Sequence, residues 1–430
     1  MAKIKHLSTL VNKAKNLRER HQERHRPTGY GFALADSVEY LETARWDRAT
    51  QHDSVFFSRR YLHVLENAGP ENLRQRYALI FRGRDPVAAV AAQLVTVSIS
   101  RVTRSAKAYE KKSTQGTDGL LRRKLQSGVG EIRDKAAKPL ERLEEKVLVC
   151  GNLLSWGMHG VSFVPGEDPV VLWPAVAEAI YRLRRGDKLS GDTDFVMIKD
   201  ITDPHAKAAE TLSKFSYRPL ETEPNMVLQI SPRWRSYDDY LASLTSKYRK
   251  VCKQIDKDVA EAGCVVEPLS DVESHAEKLH ELYMQTHRNA RLRLVTLRPS
   301  FLPTLAAQLG EDMRTTVLRR DGELLGFVTT VRDNQTAVGY YIGFDRKANA
   351  QFPIYFRLLQ SVVDDAIAFG SQRLSLGRTA LEPKARLGAR PDPMRIWVRH
   401  RIPMLNMLVR GLLHTISDRD EPPQRNPFKE

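Results

Sequence analysis

Cysteine is scarce in this chain of 430 residues, which has only Cys150, Cys252 and Cys264. An odd number of cysteines without the spacing of metal ligands excludes a disulfide scaffold and a zinc module. All three lie in segments with the apolar pattern of strands or helices, so we expect them in the core. The sequence predicts no metal cofactor and only a local role for any thiol.

Long apolar runs are also missing. The longest candidate, residues 87–100, is shorter than the roughly 18 residues that a membrane span requires, and it is predicted to form a strand. Residues 1–26 are basic and lack the apolar centre of a secretory signal. These features predict a cytoplasmic protein.

Positive charge is in excess, with a formal net charge of +16. It is concentrated in residues 1–26, 101–146 and 371–401, and the rest of the chain is close to neutral. Such segments favour anionic partners, namely nucleic acid, a lipid surface or phosphorylated small molecules. An ordinary basic surface is the alternative interpretation.

The length of the chain predicts two domains, because a single core usually stops growing at roughly 250 to 300 residues. The same order of strands and helices occurs in each half. We therefore predict an α/β (α+β) fold in which a mixed, mostly antiparallel sheet with flanking helices is used twice. The predicted divisions are a basic amphipathic segment at 1–27, a first domain at 28–231 with a basic helical insertion at 101–146, and a second domain at 232–430.

Individual elements follow from apolar periodicity and turn residues. Ser236, with Asp239 three residues later, is predicted to cap the first helix of the second half. The first half is predicted to contain strands at 38–43, 77–82, 87–98, 147–154, 195–200 and 226–230 and helices at 58–68, 170–185 and 205–217. The second half is predicted to contain helices at 236–263, 272–290 and 353–369 and strands at 264–269, 315–319, 324–331, 336–344, 373–376 and 395–398.

Three stretches of the second half, residues 237–263, 340–353 and 374–388, together resemble the FemAB-like acyltransferases of the GNAT superfamily. The resemblance implies tandem GNAT domains, in which strand four splays from strand five and the third helix begins beneath the gap. It also implies acyl or aminoacyl transfer to an amine acceptor. The donor would be acyl-CoA, such as acetyl-CoA, or aminoacyl-tRNA.

Two features of that family are missing from the sequence. The long helical hairpin of peptidoglycan-bridge Fem ligases has no counterpart in the second domain, which weighs against an aminoacyl-tRNA donor. The Gln/Arg-x-x-Gly-x-Gly/Ala loop, with which many GNAT enzymes cradle the CoA pyrophosphate, is replaced by residues 345–353. The missing loop favours a non-catalytic protein that binds RNA or a membrane, whereas the basic neighbourhood of Lys384 favours an enzyme.

A helix N-terminus attracts phosphate when the side chains around it do not oppose an anion. In the first half, Glu167 and Asp168 precede the predicted third helix, whereas Arg346 and Lys347 precede it in the second half. The second domain is therefore the predicted donor-binding half, unless these cations belong to a solvated loop. The predicted donor-binding residues are Arg346, Lys347, Asn349, Arg378 and Arg386.

Chemistry is predicted near Lys384, which follows the strand that ends at Gly377, where the resemblance places the reacting acyl group. A cation there stabilises the oxyanion of a tetrahedral intermediate or holds a donor phosphate. Glu382 is a candidate proton acceptor. Tyr341 is a candidate proton donor, since Tyr340 and Tyr341 alternate on a strand and one of them should face the cleft. The alternatives are that Lys384 is an ordinary surface charge and that Tyr341 packs in the core.

A glycine-rich run at residues 151–160 follows a strand of the first half. It is predicted to shape an acceptor pocket with Asn152, and with His159 as a base because imidazole titrates near neutrality. A histidine in an ordinary loop is the alternative.

The N-terminal segment and the insertion predict further partners. Residues 1–26 place apolar side chains at near-helical spacing among lysines and arginines, which suits an anionic membrane surface or packing on the first domain. The insertion lacks this periodicity and is expected to touch a phosphate-bearing ligand or solvent. An amine acceptor, tRNA and a peripheral membrane contact are thus the predicted partners.

Overall fold

Two parts of the predicted organisation lie outside the residues that the structure describes: the amphipathic segment up to residue 25 and the insertion from 101 to 143. Glu144 opens a strand, so the insertion ends before the predicted residue 146. No helix in the described part of the chain is long and apolar enough to cross a membrane. The computed structural model describes residues 26–98, 144–289, 293–403, 405–406 and 423–429.

Strands and helices alternate through the described residues. The strands are β1 (Gly31–Ala35), β2 (Leu73–Arg82), β3 (Asp85–Ser98), β4 (Glu144–Cys150), β5 (Val161–Phe163), β6 (Phe195–Thr202), β7 (Arg218–Glu221), β8 (Asn225–Gln229), β9 (Cys264–Pro268), β10 (Met313–Arg320), β11 (Glu323–Asp333), β12 (Thr336–Phe344), β13 (Arg373–Ser375), β14 (Arg390–Asp392) and β15 (Met394–His400). The α-helices are α1 (Thr43–Thr50), α2 (Arg59–Ala68), α3 (Pro169–Gly186), α4 (Asp203–Ala209), α5 (Tyr237–Ser243), α6 (Ser246–Glu261), α7 (Ala276–His287), α8 (Phe301–Leu309), α9 (Arg346–Asn349), α10 (Ile354–Ala368) and α11 (Leu381–Arg386).

The strands form two sheets. The first has the order β1-β2-β3-β4-β6-β15-β7, with β5 paired to β3, and the second has the order β14-β8-β13-β12-β11-β10-β9. Most neighbours are antiparallel, but β4 with β6 and β12 with β13 are parallel. The predicted pair of mixed, mostly antiparallel sheets with flanking helices is confirmed.

One strand from each half lies in the sheet of the other half. β8, predicted as the last strand of the first half, pairs with β13 and β14 in the second sheet. β15 pairs with β6 and β7 in the first sheet. The predicted division at residue 232 therefore does not separate the two sheets. The alternation of apolar and polar residues along a strand shows which of its faces is buried, but it does not show which strand is its partner.

The two halves share a hydrophobic cluster. Trp46 and Tyr61 of the first half and Phe301 and Phe327 of the second half are all fully buried within it. Separate clusters lie under α3 in the first half and under α10 in the second half. Apolar burial stabilises by roughly 25 cal/mol per Å², so the shared cluster couples the stability of the two halves.

Three predicted elements differ from the structure, one of them the helix at 205–217, because α4 ends at Ala209 and Glu210–Phe215 forms a 3₁₀ helix. The strand at 38–43 is wrong, because Val38–Tyr40 forms a 3₁₀ turn and α1 begins at Thr43. The long helix at 236–263 is divided into α5 and α6, because Leu244 adopts an extended conformation. The predicted cap is confirmed, since Ser236 and Asp239 form a capping box.

Candidate active site

β12 and β13 pair over three residues and then separate. The parallel pairing joins Thr336–Val338 to Arg373–Ser375, after which β13 ends and β12 continues to Phe344. α10 follows β12, so the second half has the splayed strand pair and the helix that the resemblance implies. Where parallel strands diverge, their backbone N–H and C=O groups no longer pair with each other and can bind another chain segment or a ligand.

A β-bulge lies in β12 beside this gap. Thr330 faces Gly339 and Val328 faces Ile342, so Thr329 alone lies opposite two residues, Tyr340 and Tyr341. The N–H of Tyr341 donates to Thr329 Oγ1 at 2.9 Å. A bulge re-aims side chains, and here both tyrosines join the shared hydrophobic cluster. The prediction that they face opposite sides is therefore wrong.

The hydroxyls of the two tyrosines are hydrogen-bonded at the junction of the halves. Tyr341 donates to the carbonyl of Leu154 at 3.3 Å, and the Tyr340 and Tyr61 hydroxyls lie 2.8 Å apart. Burial raises the pKa of Tyr341 and of Tyr340 well above 10. Tyr341 therefore holds its proton tightly, which does not favour its predicted role as a proton donor.

The loop at residues 151–160 of the first half contacts the end of β13. Trp156 Nε1 donates to Ser375 Oγ at 2.7 Å, and the indole packs against Gly377, where a Cβ atom would lie 3.1 Å from the ring. Gly377 has a φ of +80°, so glycine is needed there for its conformation as well. The first half therefore supplies one wall of the gap.

A buried carboxylate connects this loop to the second half. Asp200 is fully buried and accepts from Arg378 at 2.9 Å and from the N–H of Gly157 at 3.2 Å. Lys199 forms an ion pair with the same carboxylate and donates to the carbonyl of Ser155 at 2.8 Å. Arg378, predicted to bind the donor, is instead engaged in an ion pair between the halves.

Lys384 is a buried amine of the second half. It lies in α11 with only 4% of its surface exposed, and burial lowers its pKa from 10.5 to about 7, against the opposing effect of Glu223. β8 runs antiparallel to β13, so its start, next to Glu223, lies beside the end of β13. Lys384 and Glu223 therefore lie at the end of the sheet where β12 and β13 separate.

Glu382 and Arg386, on the same helix, are engaged with each other. Arg386 Nε donates to Glu382 at 3.0 Å, and Arg425 donates to the same oxygen at 3.1 Å. These hydrogen bonds, that of Arg386 first, lower the pKa of Glu382. A carboxylate held ionised by two guanidinium groups is a weak base, so the geometry does not favour the predicted proton-acceptor role.

The predicted donor-binding residues after β12 surround the start of α10. Arg346 and Lys347 are exposed, and Asn349 Oδ1 accepts from the N–H of Tyr355 at 2.8 Å. Asn349, at the end of α9, thus caps one N–H of the first turn of α10 with a neutral side chain, whereas the N-cap residue itself is Pro353. In the first half the cap of α3 is charged, because the carboxylate of Asp168 accepts from Val170 at 2.9 Å.

The predicted acceptor residues of the first half are buried and hydrogen-bonded. Asn152 Nδ2 donates to Tyr61 Oη at 2.7 Å, and His159 Nδ1 lies 2.7 Å from Ser155 Oγ. Burial lowers the pKa of His159 to about 3, and its ring packs on Phe56 at 4.5 Å. These contacts hold the loop in shape, so the predicted open pocket with a histidine base is not found there.

Sequence reasoning missed Trp156, Asp200 and Glu223 as residues of this region. Trp156 lies inside the glycine-rich run, which was the available signal. Asp200 has a φ of +55°, which is uncommon for residues other than glycine, but nothing in the sequence indicates it. Within the described residues, no group of three or more His, Cys, Asp or Glu side chains could hold a metal ion. The three cysteines are free and buried, as expected.

Comparisons with known proteins agree with this geometry. Residues 246–385 match the family described as acetyltransferase (GNAT) domain. No curated protein matches the sequence. Among solved structures, FemX superposes with a TM-score of 0.52 at 9% identity, over 88% of this chain and 99% of FemX.

Two further solved structures are similar at lower scores. A tandem GNAT protein from the clavulanic acid biosynthesis pathway gives a TM-score of 0.48 at 11% identity, over 87% of this chain and 99% of that protein. L-PGS from Bacillus licheniformis gives 0.43 at 13% identity, over 81% of this chain and 95% of that protein. The chain thus carries a GNAT-type acetyltransferase domain in its second half, and the described residues share the fold of FemX.

Proposed function

We propose that the protein transfers an acyl group from an acyl-CoA donor to an amine acceptor, with the donor held by the second half. The observation that carries the proposal is Lys384, a buried amine with a pKa of about 7 at the end of the sheet where β12 and β13 separate. A group that exchanges protons near neutral pH suits general acid and base chemistry. The GNAT-type match of residues 246–385 supports the class of reaction.

The proposed reaction needs one group that first accepts and then returns a proton. The acceptor nitrogen attacks the thioester carbonyl carbon and forms the new C–N bond. Neutral Lys384 takes the proton that the nitrogen loses. When the C–S bond breaks, the Lys384 ammonium returns that proton to the departing thiolate, so the products are an amide and free CoA thiol. Lys384 ends as it began, and the rest of the acceleration comes from positioning.

The start of α10 is the proposed position of the donor phosphates. A helix N-terminus carries a partial positive charge, and the neutral cap of Asn349 leaves that charge in place. Arg346 and Lys347 are exposed on α9, which precedes α10 in the chain. In the first half the carboxylate of Asp168 caps the corresponding helix and opposes an anion there, while Glu167 is paired with Arg82.

An aminoacyl-tRNA donor is the second candidate, and one surface favours it. Four lysines of α6 are exposed at intervals of three or four residues along the helix. A row of cations of this kind suits a phosphate backbone, with a strong dependence on salt. These lysines are Lys247, Lys250, Lys253 and Lys257.

Binding measurements with the purified full-length protein test the proposal. CoA, acetyl-CoA and charged tRNA are titrated separately, and thiol release from acetyl-CoA is followed with a panel of amines. We expect acetyl-CoA to bind and the Lys384→Met variant to bind it while releasing little thiol. Binding of charged tRNA without binding of CoA would overturn the acyl-CoA donor. Binding of neither would favour a non-catalytic protein.

The predicted membrane contact of residues 1–27 is tested separately. Full-length protein and a chain that starts at Thr28 are sedimented with anionic vesicles. Salt-sensitive binding that disappears on truncation would support a peripheral contact with the membrane. Loss of the thermal unfolding transition on truncation would instead show that the segment stabilises the fold.

A further inference from the structure

Residues 425–429, which we term the C-terminal strap, cross the second half from α11 to the break between α5 and α6. The N–H of Thr245 donates to the carbonyl of Pro427 at 2.8 Å, and the N–H of Lys429 donates to the carbonyl of Ser243 at 3.0 Å. Phe428 forms a β-bridge with the residue between them, Leu244. The strap is therefore anchored through its backbone, at the point where the predicted single helix is interrupted.

The side chain of Phe428 covers the turn that follows α11. Its ring lies 5.6 Å from that of Trp234 and 6.2 Å from that of Tyr240. A Cβ atom on Gly388 would overlap the Phe428 ring, so the ring packs directly on the backbone of that turn. Tyr240 Oη donates to the carbonyl of Leu387 at 3.0 Å, which fixes the same turn from the other side.

This turn is bonded to the backbone of Lys384. The N–H groups of Leu387 and Ala389 each donate to the Lys384 carbonyl at 3.1 Å, and that of Gly388 donates to Ala385 at 2.9 Å. Ala385, Leu387 and Ala389 are buried in the hydrophobic cluster under α10. The turn that Phe428 contacts is therefore hydrogen-bonded directly to the backbone of Lys384, whose side chain carries the buried amine.

We propose that the strap positions Lys384 for acyl transfer, with Phe428 as the positioning residue. The inference rests on the proposed role of Lys384. Phe428 and Trp234 are partly buried and border a surface pocket that reaches Gly388, so removal of the ring uncovers the turn after α11, and the opened space is filled by movement of its walls or by water. Either response lets α11 shift and brings water to the Lys384 amine. The strap thus controls both the place of the amine and its solvation.

The experiment compares Phe428→Ala and Phe428→Leu with the unchanged full-length protein. Two quantities are measured: the pH profile of kcat with acetyl-CoA and an amine, and the pH dependence of Lys384 labelling by a small acid anhydride, read by mass spectrometry. For Phe428→Ala we expect kcat to fall by on the order of 10-fold or more, with a smaller change in the KM for acetyl-CoA. The midpoint of labelling should move up from near 7 towards the ordinary lysine value, and Phe428→Leu should restore part of both effects.

Two matched variants separate positioning from general loss of stability. Arg425→Met alters the strap at an exposed ion pair, and Val64→Ala removes buried methyl groups in the first half. Neither should move the labelling midpoint of Lys384. If Phe428→Ala does not fold, the same midpoint is read in Phe428→Leu, where a smaller upward shift is expected.

An unchanged labelling midpoint and an unchanged profile of kcat in a folded Phe428 variant would overturn the inference, leaving the strap with a structural role alone. Failure of the proposed function has a different signature. In that case Lys384→Met would release thiol at the ordinary rate, while the Phe428 variants would still shift the labelling of the Lys384 amine.

Discussion

Arg378 and Asp200 form an ion pair between the two halves, with Nη1 2.9 Å from Oδ1, although Asp200 has no exposed surface. Lys199 and the N–H of Gly157 bind the other carboxylate oxygen. Asp200 therefore balances one cation from each half. The pair also holds the loop with Trp156 against the end of β13.

Replacement of Asp200 should destabilise the whole protein. Asp200→Ala leaves Lys199 and Arg378 without their buried counter-charge, and we expect a loss of about 3–5 kcal/mol in the free energy of unfolding, measured with urea. Asp192→Ala, which removes an exposed partner of Arg401, should cost less than about 1 kcal/mol. Equal losses of unfolding free energy in the two variants would show that the buried ion pair stabilises the protein no more than the exposed one.

The pH profile of turnover should report Lys384. As a base, Lys384 must be neutral, and its pKa of about 7 predicts that kcat rises as the pH increases through 7 and then levels off. Lys384→Met should remove this rise and lower kcat by on the order of 10²-fold, with little effect on acetyl-CoA binding. A fall in kcat through pH 7 would instead indicate that the ammonium stabilises the oxyanion, as the sequence first predicted.

Charge at the start of α10 should control donor affinity. Asn349→Asp keeps the helix cap but places a carboxylate where the donor phosphates are proposed, so CoA binding should weaken by about 0.5–1 kcal/mol. Arg346→Glu and Lys347→Glu should weaken it further. Calorimetric titration measures the effect, and Glu167→Lys at the other helix is the control. A comparable change in that control would contradict the assignment of the donor to the second half.

Protonation of Asp333 should make stability depend on pH. Asp333 lies in the second half and accepts from Val55 at 2.7 Å and from Ser54 at 2.9 Å in the first half, and burial raises its pKa to about 6. The folded protein therefore holds this proton more tightly than the unfolded chain. The stability that it contributes is complete below about pH 4 and is lost as the pH rises through 6.

Asp333→Asn is expected to flatten this dependence by on the order of 1–2 kcal/mol between pH 4 and 7, because an amide does not titrate, accepts from the N–H of Val55 through its oxygen and donates to Ser54 Oγ through its nitrogen. Urea unfolding at several pH values measures the slope. An identical slope in the variant and the unchanged protein would show that Asp333 does not titrate in this range.

The exchanged strands should make the halves depend on each other. A fragment of residues 28–231 lacks β15, which lies between β6 and β7, and a fragment of residues 232–430 lacks β8. We expect neither to unfold cooperatively alone and the two to recover a cooperative transition when expressed together, as followed by circular dichroism. Cooperative unfolding of residues 28–231 alone would contradict this expectation.

Local elements and the class of fold follow from the sequence alone. β12 was predicted with its observed bounds, and α10 within one residue at each end, because apolar periodicity depends on near neighbours in the chain. The cap at Ser236 is predictable from the sequence for the same reason. Lys384 was identified because it follows the last short strand of a recognisable order of elements.

The pairing of strands and the contacts between distant side chains are established only in the folded chain. β8 and β15 carry no local sign of their exchange, since a buried strand packs equally well in either sheet until its partners are in place. The bulge at Tyr340 and Tyr341 arises where Thr329 faces two residues, a matter of register between strands. The lowered pKa of Lys384 comes from burial beneath segments distant in sequence, and such desolvation exists only once the chain has folded.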